Sequence, residues 1–133
     1  MSILDDMAWF KGNFGARILA ALEGTPFTLD LIAAIAYQET GKEIWGPLSR
    51  RGLSVADILK LCTGDTLDYP KRSSAWPKNR TALEAHPDGK RMFALARAAL
   101  EAMAAEVAGY RRVLADPDKF CHGFGIFQYD IQF

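Results

Sequence analysis

TLDLIAAIAYQETG, residues 28–41, is the stretch on which the reading of this chain turns. Thr28 follows Pro26 and suits a helix N-cap, Asp30 lies in the first turn, and Gly41 offers a left-handed stop. These signals predict a short helix that closes at Gly41. Ile32, Ile35 and Glu39 recur at the i, i+3, i+7 spacing and therefore share one face. The face is apolar until it ends in a carboxylate. Held against Ile35 and Tyr37, Glu39 would lose hydration, which favours its protonated form and suits a general acid working near neutral pH. A glutamate that rotates out to water in the last turn is the plainer alternative.

Upstream, Met7, Phe10, Phe14, Ile18 and Leu22 step by three and four and predict an amphipathic helix over residues 3–22. Gly12 and Gly15 mark either an early break in it or a close helix contact. Downstream, residues 42–87 hold four of the six prolines, which argues against long helices and for an irregular Pro-rich insertion. Ser54 and Asp57 make a capping pair for one short helix there, with Val55, Ile58, Leu59 and Cys62 apolar and Gly64 as its end. Residues 65–87 read as a long loop in which Lys71, Arg72, Lys78 and Arg80 surround Trp76. That pattern can bind a phosphate backbone or stack on a sugar, although a solvated loop with one tryptophan tucked onto the core is the favoured reading.

Residues 88–114 give the longest helical pattern: Met92, Ala96, Ala99, Met103, Val107, Tyr110 and Leu114, with Asp88 as cap and Pro117 forcing the end. Residues 121–133 change character again. As one strand, this tail would put Ile126, Gln128, Asp130 and Gln132 on one face and Phe127, Tyr129, Ile131 and Phe133 on the other. The expected fold class is thus α+β, mainly α, with a small β-hairpin or strand near the C-terminus, in a single domain spanning residues 1–133.

Composition narrows the function. Sixteen basic residues balance sixteen acidic ones, so there is no general attraction to nucleic acid or to an anionic membrane. No apolar run approaches the roughly 20 residues that span a bilayer. The first ten residues lack a signal-peptide pattern, which favours a cytoplasmic origin, with non-classical export or phage release as alternatives. Without an export signal, Cys62 and Cys121 are expected as two buried thiols rather than a disulfide. Neither a metal nor a cofactor is expected. His86 and His122 lack zinc-site spacing, Gly123 and Gly125 lack a third glycine and a following helix, and Cys121 and His122 are strand neighbours that point apart.

Two segments remain: AYQETG at the end of a helix, and HGFGIFQYD in the glycine-rich tail. Together they resemble the lysozyme-like superfamily, nearest to goose-type lysozymes and soluble lytic transglycosylases. There a helix ends in the catalytic glutamate, and a Gly-x-Gly-Leu-Met-Gln motif follows later. Residues 123–128 match that motif with Ile126 and Phe127 in place of Leu-Met. The resemblance implies a lysozyme-like helical domain and cleavage of peptidoglycan glycan strands. Glu39 would be the catalytic acid and Asp130 the aspartate that helps place water. Gln128 would hold substrate, with Gly125, Tyr129 and Tyr37 beside it. In these families further helices follow the glutamine motif, so the domain is expected to be incomplete at residue 133. A further segment or a second chain would complete it. The alternative from another class is a non-catalytic helical interaction domain whose terminal strand pairs with a partner.

Overall fold

The computed structural model describes residues 2–64, 66 and 76–131. The chain is mainly helical with a small antiparallel sheet, an α+β architecture, and divides into two compact units, residues 1–59 and 60–133.

The first unit begins with α1 (Ile3–Leu22), which is unbroken at both of its glycines. Gly15 is buried, and a side chain there would meet the Leu29 Cδ2 at 3.3 Å, so it marks a close helix contact and not a break. Thr28 caps α2 (Leu29–Ala36), its hydroxyl accepting the Leu31 amide. The predicted stop at Gly41 is absent. The helix runs on as a nine-residue π-helix, Tyr37–Trp45, and then as α3 (Gly46–Arg50), with Pro47 at its start where a missing amide is harmless. The core of this unit is aromatic. Trp45 is fully buried and stacks on Trp9 (5.5 Å between centroids) and Phe10 (5.3 Å), while Tyr37 meets it edge-on. Asp6, 5% exposed, is neutralised by the Arg50 guanidinium and ties α1 to α3. Ser54 and Asp57 cap α4 (Val55–Leu61) as expected.

In the second unit Gly64 does not end a helix but pairs in β1 (Thr63–Gly64). The expected loop over 65–87 contains α5 (Arg80–Glu84), capped by the Asn79 side chain. The long helix is shorter than predicted. α6 (Gly89–Glu106) breaks at Val107, whose backbone is extended, and a 3-10 turn leads to α7 (Arg111–Leu114). Its buried side chains are Phe93, Ala96, Leu100, Met103 and Ala104, so the seam is rotated toward the larger Phe93 and Leu100 and away from Met92 and Ala99. Phe93 and Phe120 meet edge-on over Leu83 and Ala96 to form the core here. The tail is a hairpin and not one strand: β2 (Gly123–Phe124) pairs with β3 (Tyr129–Asp130), and β1 lies on the other side of β2. Gln132 and Phe133 lie outside the described residues. Cys62 and Cys121 are both buried and free.

Candidate functional site

Glu39 stands in the first turn of the π-helix. In a π-helix each amide reaches five residues back, as the Gly46 amide does to the Gly41 carbonyl. The wider turn loosens the ladder at Ala36, whose carbonyl collects the Trp45 indole Nε1 at 3.3 Å and the Thr40 hydroxyl at 3.5 Å. Gly41 is what permits this. A Cβ there would lie 2.5 Å from Cζ2 of Trp45 and 2.7 Å from Cδ2 of Tyr37, so only a bare backbone passes beneath the two rings.

The face that turns inward is Ala33, Ala36 and Thr40. Glu39 is therefore exposed, as is Ile35 at 41%. The expectation that Ile35 and Tyr37 strip water from the carboxylate is corrected. The i, i+3, i+7 face looks outward because the small alanines, and not the isoleucines, make the close helix contact. Tyr37 is half-buried and committed to Trp45.

The glutamine motif builds the hairpin loop of residues 125–128. Gly125 has φ 78° and Gln128 φ 52°, both left-handed. For Gln128 this conformation costs about 1–2 kcal/mol, offset by two bonds to one acceptor. Its own amide (3.1 Å) and its side-chain Nε2 (2.9 Å) both donate to the Gly125 carbonyl. Nε2 also approaches the Cys62 carbonyl at 3.5 Å. The carboxamide folds over the sheet: Oε1 lies 2.5 Å from where a Gly123 Cβ would be and 3.2 Å from the corresponding point at Gly64, where the Tyr110 hydroxyl also closes in. Gln128 thus fixes the hairpin from within. Phe127 and Tyr129 stand out from it, 50% and 67% exposed, and Asp130 is half-buried beside Gly123.

The basic loop offers less than its sequence suggests. Lys71 and Arg72 lie outside the described residues. Arg80 pairs with Glu84 (2.9 Å) and Asp118 (3.2 Å) and stacks over Phe93, while Trp76 meets His86 edge-on. An open groove of about 640 Å³ along α6 has the same character, its Arg80–Glu84 and Arg97–Glu101 charges paired. Among the described residues no cluster of metal-ligating side chains occurs, and no helix is long and apolar enough to cross a membrane.

Sequence reasoning missed the Thr40–Trp45 arrangement that sustains the π-helix, the Gly64 and Tyr110 contribution beneath Gln128, and a cavity beside His122. Of these only Trp45, four residues after Gly41, left a local signal. Comparison with protein-family models, with characterised proteins and with solved structures finds no match to this chain.

Proposed function

We propose that the chain is a peptidoglycan-cleaving glycosidase, either a muramidase or a lytic transglycosylase, with Glu39 as its general acid. The observation that carries this reading is the nine-residue π-helix around the AYQETG motif. π-helical segments are rare and gather at functional sites, and this one sets a solvent-facing carboxylate on a rigid aromatic base. Glycosidic cleavage needs a proton donor at the leaving oxygen because a bare alkoxide leaves poorly. With Glu39 exposed in the free chain, the water around it is displaced only when a glycan covers it. An inverting mechanism would need a second carboxylate across the sugar to activate water, roughly 6.5–9.5 Å from the acid, and the resemblance gives that part to Asp130. Without such a partner the sugar's own 6-hydroxyl attacks, and the product carries an anhydro ring in place of a reducing end. Gln128 shapes the hairpin, and Gly125 and Tyr129 lend it a surface for the strand.

Glu39→Gln tests this directly. Lysis of cell-wall substrate should be lost while the melting temperature holds, since an exposed carboxylate supports little of the fold. Full activity in that variant ends the proposal.

A second reading draws on the hairpin. β3 is an outer strand of the sheet, with Phe127 and Tyr129 exposed on and beside it. An interaction domain would use that edge to pair with another chain. It predicts no glycan turnover and a stable oligomer that Phe127→Ser with Tyr129→Ser dissolves.

A further inference from the structure

We draw no further inference here: the strongest candidate, the exposed apolar line of Phe27, Leu31 and Ile35 that leads into α2 and along it toward Glu39, carries nothing because no feature of the structure shows what covers it.

Discussion

Gly41→Ala gives the sharpest test of how the π-helix is held. The added Cβ would lie 2.5 and 2.8 Å from Cζ2 and Cε2 of Trp45 and 2.7 Å from Cδ2 of Tyr37. Each is about 1 Å inside the ordinary carbon–carbon separation of about 3.5–4.0 Å. Trp45 cannot retreat, being fully buried and stacked on both Trp9 and Phe10. Overpacking of this kind costs about 1–3 kcal/mol, and the better helix propensity of alanine returns about 0.8–1.0 kcal/mol. The net loss is about 0–2 kcal/mol, and a clash with a side chain that cannot move puts it toward the upper end, a fall of up to roughly 10 °C in Tm for a chain of this size. Thermal and urea unfolding, with near-UV circular dichroism of the tryptophans, would measure it. Gly41→Asn separates this mechanism from a left-handed helix stop. A stop accepts asparagine better than alanine, whereas a steric gap beneath two rings rejects the larger residue more strongly. Trp45→Phe should relieve the clash, so that Gly41→Ala costs about 1 kcal/mol less in that background, a coupling expected only between touching residues. An asparagine variant more stable than the alanine one, or strict additivity with Trp45→Phe, would refute the reasoning.

Three further outcomes follow from the packing. Asp6→Ala strands the Arg50 guanidinium, and breaking a buried pair costs about 3–5 kcal/mol; with Arg50 30% exposed, about 2–3 kcal/mol is expected by urea unfolding. Arg97→Ala removes three charged donations to the loop carbonyls and should speed amide hydrogen exchange across residues 114–119, and Arg97→Lys should not restore protection because an ammonium cannot span the same fork. Burial pushes the Cys121 thiol from its ordinary 9.0 up to about 11. The folded state therefore holds this proton more tightly than the unfolded one. The associated stability is intact below pH 9 and is lost between pH 9 and about pH 11, by roughly 1–3 kcal/mol, and Cys121→Ala should flatten that part of the pH profile.

The legible parts of this sequence are those whose signals stay local. α1 follows from five apolar residues in step over 16 positions, and the Ser54–Asp57 pair forms the N-terminal cap it announces. The same local rules fail where a distant or bulky partner decides. Val107 fits the helical period of residues 88–114 by apolarity, yet it is β-branched, and Gly109 two residues on costs about 1 kcal/mol in a helix. The chain turns there and brings the Tyr110 hydroxyl against Gly64. In the tail, alternating aromatics conceal a turn whose last residue, Gln128, takes a left-handed conformation that composition does not announce.

The pattern of these failures bears on function. Gly41 and Gly123 are both ambiguous letters, legible as a stop or as flexible strand. In the fold each is instead a space into which a specific side chain leans, Trp45 over one and Gln128 over the other. Neither space raises stability through propensity; glycine in a helix or strand lowers it by roughly 0.5–1 kcal/mol. Local rules are most often broken where a site must be shaped. Here the two breaks fall in the two segments that carry the lysozyme-like resemblance, one beside Glu39 and one beneath the hairpin of Asp130. Both glycines are letters of those segments, which is why Glu39, exposed as it is, is the carboxylate to mutate first in testing the proposed glycosidase.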